Sequence, residues 1–270
     1  MNNYKLIALD MDGTLLDSHK QISERNRQAI LAAKKCGVRV VLASGRPFVG
    51  LQHYFEQLAM NSDDDYVLCF NGVQVKRISD EKIIQDFQFT GREAKLLAEQ
   101  AKTLGINLHA FSPRRGLISP DCGACSQHEA EINKIPLNQL DFAKLDDDEP
   151  IIKVLYADDA EKVSHAMATL PQDLKVRFTV VQSTPFFMEF LHPKANKGSG
   201  IAALAEFLGI AAKDIICMGD AGNDAHMVEF AGLGIAMENA TDELKAIADA
   251  ITGHHNDSGV AQAIERYVLS

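Results

Sequence analysis

Two aspartates, Asp10 and Asp12, follow the apolar run YKLIAL in the stretch LDMDGTLLD. Because like charges this close repel one another, the pair is tolerable only with a cation nearby. A second stretch, GDAGND, follows the apolar run DIICM and adds two more carboxylates, Asp220 and Asp224. Hard oxygen ligands with room for water favour Mg²⁺. The sequence therefore predicts a magnesium site between the first pair of aspartates and Asp220.

Carboxylates in this arrangement are suited to phosphoryl transfer. No Ser-His or Cys-His pairing offers another nucleophile, whereas an aspartate can attack phosphorus and form an aspartyl phosphate. A second aspartate one step along the turn can protonate the leaving oxygen and later deprotonate water. Gly13 permits the turn that aims this second side chain at the substrate. Lys197, at the start of a predicted helix, is the candidate for the positive charge that the transferring oxygens need.

The elements that must position these residues follow an alternating pattern. Short apolar runs alternate with amphipathic stretches, which predicts parallel strands joined by helices in a doubly wound, mostly parallel, Rossmann-like α/β sheet. In such a sheet the ligand crevice lies beyond the carboxyl ends of the strands. Four predicted strands end in polar, glycine-containing turns whose N-H groups can bind an anion, starting at Asp10, Ser44, Asn71 and Gly219.

The middle of the chain does not continue this alternation of strands and helices. Residues 73–87, VQVKRISDEKIIQDF, predict an antiparallel hairpin, and Thr90 with Glu93 forms a capping box for a helix that Gly105 ends. Further strands and helices follow without an acidic residue at a strand end. We therefore expect residues 1–83 and 190–270 to form a discontinuous core domain, with residues 84–189 inserted as a second α/β domain.

Composition narrows the class of protein. The 270 residues carry a net charge of -10 without a long basic run, which argues against nucleic-acid and membrane binding. No secretory signal or membrane-spanning segment is recognisable, so a cytoplasmic location is expected. The five cysteines are odd in number and indicate reduced, mostly buried thiols. Cys122 and Cys125, with His128 after them, lack a second ligand pair, so we expect a surface loop rather than zinc.

The chemistry-bearing stretches occur in one order: DMDGTL at 10–15, SGRP at 44–47, Lys197-Gly198, and Gly219-Asp220 through Asn223-Asp224. Each alone has an ordinary explanation, such as a turn, a surface lysine or a calcium-type loop, but the ordered set at element ends does not. Together they resemble the four motifs of the haloacid dehalogenase-like superfamily of phosphatases, over essentially the whole chain. The insertion resembles the large α/β cap of Cof-type sugar phosphatases. Small departures are Ala221-Gly222 and one added residue before Gly259.

The resemblance implies a role for each matching position. Asp10 would be the nucleophile and a Mg²⁺ ligand, Asp12 the general acid/base with its backbone carbonyl on the metal, and Asp220 the third ligand. Asp224 would orient the metal's ligands or waters. The phosphoryl group would be held by the N-H of Met11 and by Ser44, Gly45, Lys197 and Asn223, while Arg46 and Asn71 would line the mouth.

These expectations combine into Mg²⁺-dependent hydrolysis of small phosphate monoesters, with sugar phosphates as the class. The predicted partner is a small phosphorylated metabolite, and the predicted assembly a monomer or homodimer. Four polar cap residues are candidates for reading sugar hydroxyls: His109, Arg114, Arg115 and Tyr156. Two alternatives stay open, a sugar phosphomutase with the same site and a non-catalytic, receiver-like phospho-acceptor. A receiver would lack the large insertion, and it would lack a counterpart of Asp12 that speeds dephosphorylation.

Overall fold

The computed structural model describes residues 4–270, except for the side chain of residue 183. In this range the strands are β1 (Leu6–Asp10), β2 (Arg39–Ala43), β3 (Tyr66–Cys69), β4 (Gln74–Arg77), β5 (Ile83–Asp86), β6 (Phe89–Thr90), β7 (Leu108–Ser112), β8 (Gly116–Ser119), β9 (Leu137–Gln139), β10 (Pro150–Ile151), β11 (Lys153–Ala157), β12 (Thr179–Thr184), β13 (Phe187–Leu191), β14 (Ile215–Gly219), β15 (Leu233–Ala236) and β16 (Ala250–Ile251). The α-helices are α1 (Glu24–Lys35), α2 (Gln52–Gln57), α3 (Gly91–Leu104), α4 (Ala124–Asn133), α5 (Ala160–Thr169), α6 (Gln172–Arg177), α7 (Lys197–Leu208), α8 (Ala225–Phe230), α9 (Asp242–Ile247) and α10 (Gly259–Tyr267).

The chain divides into two compact units. One runs to Asp86 and resumes at Asn196–Ser270, and the other spans Phe87–Ala195. The boundaries expected from the sequence, after residues 83 and 189, fall inside β5 and β13. A boundary there would cut the hydrogen-bonded ladders of these strands, so each element stays whole and the division comes a few residues later.

The first unit is built on an eight-stranded sheet with the order β16-β15-β14-β1-β2-β3-β4-β5. The six strands from β16 to β3 are parallel, and β4 and β5 are antiparallel, which confirms the doubly wound sheet and the predicted hairpin. Strand β1 is buried along its whole length between β14 and β2. Because side chains alternate across a strand, Leu6 and Ala8 face the core that α7 completes with Ile201 and Leu204.

The second unit contains a six-stranded sheet with the order β12-β13-β11-β7-β8-β9, antiparallel except between β8 and β9. A separate two-stranded ladder pairs β6 with β10. Helix α3 begins at the predicted capping box, where the backbone N-H of Thr90 donates to Glu93 Oε2 at 2.8 Å, and ends at Gly105. Its Leu97 and Ala101 belong to the apolar core of this unit.

The cysteines differ from expectation in their burial. All five are free, but only Cys69 and Cys217 are buried, whereas Cys36 is exposed and Cys122 and Cys125 are half-buried. Cys36 is exposed because it lies at the C-terminal cap of α1, beyond the buried face that Ala29 and Ala33 form. Among the described residues no helix is long and apolar enough to cross a bilayer.

Candidate active site

The strand order places the four predicted turns next to one another. Strands β14, β1, β2 and β3 are consecutive parallel neighbours, so their carboxyl ends meet at one edge of the sheet. Asp10 is the last residue of β1, and Asp220 and Ser44 directly follow β14 and β2. The topology thus brings chain segments more than 200 residues apart to one crevice.

An acidic triad lies at this edge. Asp10, Asp220 and Asp224 each offer one carboxylate oxygen, and the three oxygens lie within 4.8 Å of one another. Asp224 Oδ2 accepts the backbone N-H groups of Asp220 at 3.0 Å and Ala221 at 3.1 Å, which fixes the turn after β14. The hydroxyl of Thr14 donates to Asp220 Oδ1 at 2.9 Å. Backbone and hydroxyl donors therefore hold two of the three carboxylates in place.

Lys197 is the positive partner of this triad. Its side chain is fully buried, and its ammonium donates to Asp10 Oδ1 and, at 2.6 Å, to Asp224 Oδ1. The residue begins α7, whose N-cap Asn196 accepts the N-H of Ser199 through Oδ1 at 2.8 Å. A capped helix end therefore aims a buried cation at the end of β1.

The charges in the triad are not balanced by the protein. Burial and the charge of Asp224 raise the pKa of Asp10 well above its usual value, against the opposing effect of Lys197. Burial also raises the pKa of Asp220. Burial alone would lower the pKa of Lys197, but its ion pairs with Asp10 and Asp224 outweigh this and raise it. Three carboxylates and one ammonium leave a local charge of about -2, which a divalent cation would neutralise.

Asp12 faces a different set of partners. Arg46 donates to both of its carboxylate oxygens, through Nη2 at 2.8 and 3.0 Å and Nε at 3.2 Å, and Lys20 Nζ lies 2.7 Å from Oδ1. Burial alone would raise the pKa of Asp12, but the hydrogen bonds and charges of these two cations lower it. Its side chain is 42% exposed, so a substrate group can reach it.

The predicted phosphate-binding turns after β2, β3 and β14 are linked to one another. The carbonyl of Ser44 accepts the N-H of Asn71 at 2.9 Å, and Asn223 Nδ2 donates to Asn71 Oδ1 at 3.2 Å. A Cβ at Gly45 would lie 3.2 Å from the amide of Asn71, so this close approach favours glycine. The side chain of Met11 is fully buried, so only its backbone N-H could serve a ligand. These polar groups line the edge of the sheet beside the triad.

Gly13 has a specific steric reason to be glycine. Its φ is +86°, a left-handed conformation that other residues rarely adopt. A Cβ at this position would overlap Asp220 Oδ2 and lie 2.8 Å from Asp220 Cγ. The turn after β1 can therefore pack against the turn after β14 only without a side chain here.

Sequence reasoning missed two residues that contact the predicted site. Thr14 holds Asp220, and its place in DMDGTL beside the paired aspartates was a usable signal. Lys20 reaches Asp12, but an exposed lysine in a loop carries no signal of its own.

Two of the four cap candidates are placed where they cannot read a sugar. His109 and Tyr156 are fully buried in the second unit, the Tyr156 hydroxyl donating to the carbonyl of Leu97 at 2.8 Å. The expectation was wrong for both because β7 and β11 are buried along their whole length, on both faces of the sheet. Arg114 and Arg115 are exposed, and Arg115 Nε donates to Glu149 Oε1 at 2.7 Å.

Comparison with known proteins identifies the family of this chain. The family model described as haloacid dehalogenase-like hydrolase matches residues 7–264. The putative phosphatase YxeH of Bacillus subtilis (strain 168) is 37% identical, over 99% of each chain. The 5-amino-6-(5-phospho-D-ribitylamino)uracil phosphatase YcsE of the same organism is 31% identical, over 98% of this chain and 96% of its own. A haloacid dehalogenase-like hydrolase from Bacteroides thetaiotaomicron superposes with a TM-score of 0.86 at 33% identity, covering 97% and 99% of the two chains. The chain belongs to the haloacid dehalogenase-like hydrolase family and is a phosphatase of that family.

Proposed function

We propose that this phosphatase hydrolyses small phosphate monoesters of sugars in a Mg²⁺-dependent reaction, through an aspartyl phosphate on Asp10. The observation that carries the proposal is the cluster of Asp10, Asp220, Asp224 and the buried ammonium of Lys197 at the ends of β1 and β14. A carboxylate oriented by a buried cation is suited to attack phosphorus.

The proposed reaction has two steps. In the first, an Asp10 oxygen bonds to phosphorus, the ester P–O bond breaks, and Asp12 gives a proton to the leaving oxygen. In the second, water attacks the phosphorus of the aspartyl phosphate, Asp12 takes a proton, and inorganic phosphate leaves with Asp10 restored. Because Arg46 and Lys20 hold Asp12 ionised, Asp12 must leave these contacts and take up a proton from solvent before it can give that proton to the leaving oxygen.

The residues present fit a magnesium ion. Oxygen-only donors, three carboxylates within 4.8 Å and an excess negative charge are what this cation requires. We assign Asp10, Asp220 and the backbone carbonyl of Asp12 as ligands, with Asp224 orienting the turn and Lys197. When bound, Mg²⁺ would neutralise charge on the transferring phosphoryl oxygens. Ser44, Gly45, Asn223 and the N-H of Met11 would hold the same group.

The substrate class is supported by chemistry and by one relative. YcsE carries a name that describes a phosphorylated ribityl compound, a sugar alcohol ester. The turns after β2 and β3 present amide, hydroxyl and guanidinium donors, through Asn71, Ser44 and Arg46, that suit polar and anionic groups. Small polar esters are therefore the proposed substrates.

The test is phosphate release from p-nitrophenyl phosphate and from a panel of sugar phosphates, with Mg²⁺ and with excess chelator. We expect steady turnover that chelation abolishes, and rapid quenching with ³²P-labelled ester should give an alkali-labile label on the Asp10 peptide. Turnover without such a label would contradict the covalent step. Isomer formation in place of phosphate release would indicate a mutase, and a stable label without turnover would indicate a phospho-acceptor.

A further inference from the structure

Two cations share a single carboxylate partner beside the proposed site. Lys20 and Arg46, called here the Lys20–Arg46 pair, both bond to Asp12. Within residues 4–270 neither forms an ion pair with another carboxylate. Two positive charges against one negative charge leave a local surplus of about +1 at the mouth of an otherwise acidic site.

The loop that carries Lys20 is held in one conformation. Asp17 Oδ1 accepts the backbone N-H groups of His19 at 2.8 Å and Gln21 at 2.9 Å. Ser18 bonds through its N-H and hydroxyl to Asn256, at 2.9 and 3.1 Å. Lys20 itself has a φ of +60°, a left-handed conformation that these bonds stabilise.

Tyr54 contacts both residues of the Lys20–Arg46 pair. Its ring lies 5.7 Å from the guanidinium carbon of Arg46, and its hydroxyl donates to the carbonyl of Lys20 at 3.3 Å. Because Tyr54 is buried, a packed residue contacts both the guanidinium of Arg46 and the backbone of Lys20. The Lys20–Arg46 pair is thus a positioned feature of the site rather than two independent surface side chains.

The proposed reaction removes Asp12, the carboxylate partner of this pair among the described residues. When Asp12 turns to protonate the leaving oxygen, both cations lose their ion pair at the point where the leaving group lies. An ammonium and a guanidinium without a partner favour an anion in its place. In the proposed reaction the transferred phosphoryl group would have Lys197, the buried partner of Asp10, as its own cation.

We propose, on the basis of the function proposed above, that the Lys20–Arg46 pair binds a second anionic group on the leaving part of the substrate. The preferred substrates are therefore phosphate esters whose leaving group carries a carboxylate or another phosphate, such as phosphorylated sugar acids or sugar bisphosphates. Lys20 is a specificity-determining residue in this assignment, and Arg46 is its partner.

The experiment compares two inhibitors that differ at one carbon, which carries a negative charge in one of them and none in the other. 3-Phosphoglycerate has a carboxylate where glycerol 3-phosphate has a hydroxymethyl group, and both are measured as competitive inhibitors of p-nitrophenyl phosphate hydrolysis. We expect wild-type protein to bind 3-phosphoglycerate more tightly. Since Lys20 is 59% exposed and screened by water, this preference should fall only about fivefold in Lys20→Gln. Lys20→Arg should retain it.

Lys35→Gln is the matched control, because it removes the same charge from the opposite edge of the sheet. Lys35 is exposed at the end of α1, before β2 begins at Arg39, and should leave the preference at its wild-type value. An equal loss of affinity for both inhibitors in Lys20→Gln would overturn the inference, as would the same change in Lys35→Gln. Absence of Mg²⁺-dependent turnover in wild-type protein would instead contradict the proposed function, and this inference with it.

Discussion

Lys197 shows how one residue can link stability to chemistry. Its ammonium is fully buried against Asp10 and Asp224, so Lys197→Met leaves buried carboxylates without a cation. Removing one partner of a buried ion pair costs about 3–5 kcal/mol. We predict a destabilisation of that order in the absence of metal. We also expect Mg²⁺ to raise the urea midpoint of Lys197→Met more than that of wild type, because the cation replaces the missing charge.

Lys153 offers a matched control for this prediction. It is also buried and pairs with Glu189 at 3.0 Å, but it belongs to the second unit, which contributes no residue to the acidic triad. Lys153→Met should therefore be destabilised without any gain in its response to Mg²⁺. Equal Mg²⁺ responses in the two variants would show that the cation does not bind at the triad.

Substitution of Asp10 should affect catalysis and stability differently. Because the mechanism needs its carboxylate as the nucleophile, Asp10→Asn should lower kcat by at least about 10³-fold. Its removal also relieves repulsion from Asp220 and Asp224, so the melting temperature of the metal-free protein should not fall. Phosphate release and thermal melting test both statements. Asp148→Asn, in an exposed loop, should keep activity; normal turnover in Asp10→Asn would remove Asp10 from the nucleophile role.

At the scale of elements, the turn after β1 must pack against the turn after β14. Gly13→Ala should displace the Asp220 carboxylate, since the new Cβ overlaps it, and should lower both activity and Mg²⁺ affinity. Gly37→Ala is the natural comparison, because its φ of +84° is similar but no atom lies within 4 Å of the added Cβ. Both substitutions should cost about 1 kcal/mol of backbone strain. Only Gly13→Ala should lose turnover, measured as kcat/KM at increasing Mg²⁺.

Strand β7 and helix α4 place a histidine where burial opposes its protonation. His109 Nδ1 lies 3.0 Å from Ser126 Oγ, and its buried Nε2 has no hydrogen-bond partner among the described residues. Burial and the charge of Lys153 lower the pKa of His109 to about 3. In the unfolded chain the His109 side chain takes up a proton below a pH of about 6.5, whereas in the folded chain the same side chain stays neutral until about pH 3. Folding therefore loses stability as the pH falls through this window.

The resulting prediction concerns acid sensitivity. Because the unfolded chain binds a proton at His109 at pH 5 and the folded chain does not, the free energy of unfolding should be about 2 kcal/mol lower at pH 5 than at pH 8. In His109→Gln the decrease between these two pH values should be smaller by that amount. The pH dependence of this stability can be measured by hydrogen exchange of the β7 and α4 amides, after correction for the intrinsic effect of pH on exchange rates. His165→Gln, which removes an exposed histidine of α5, should follow wild type. A wild-type pH profile in His109→Gln would contradict the assignment.

The elements were predictable where local pattern and topology agree. Alternating apolar runs indicated β1, β2, β3 and β14, and the rule for parallel sheets then located the crevice at their ends. The side-chain partners were not predictable in the same way. The contact between Lys20 and Asp12 and the burial of His109 depend on tertiary packing, which local composition does not encode.

At the scale of the whole molecule, the acidic triad unites distant parts of one unit and involves none of the other. Asp10, Asp220 and Asp224 all lie in the unit formed by residues up to Asp86 and by Asn196–Ser270. A ligand that binds only the folded state stabilises it by about 2.7 kcal/mol at a concentration 100 times its Kd. Mg²⁺ bound at the triad should therefore stabilise β1 and β14 directly.

Hydrogen exchange with and without Mg²⁺ tests this division. Because opening of β1 or β14 disperses the triad, their amides should exchange more slowly with Mg²⁺. The buried strands β11 and β13 of the second unit contribute no carboxylate to the triad, so their exchange should not change. Asp220→Asn should abolish the effect on β1, which separates binding at the triad from a general salt effect. If Mg²⁺ slowed exchange equally in all four strands, and did so in both wild type and Asp220→Asn, the ion would act elsewhere. Binding at the triad should instead require Asp220 and leave the exchange of β11 unchanged.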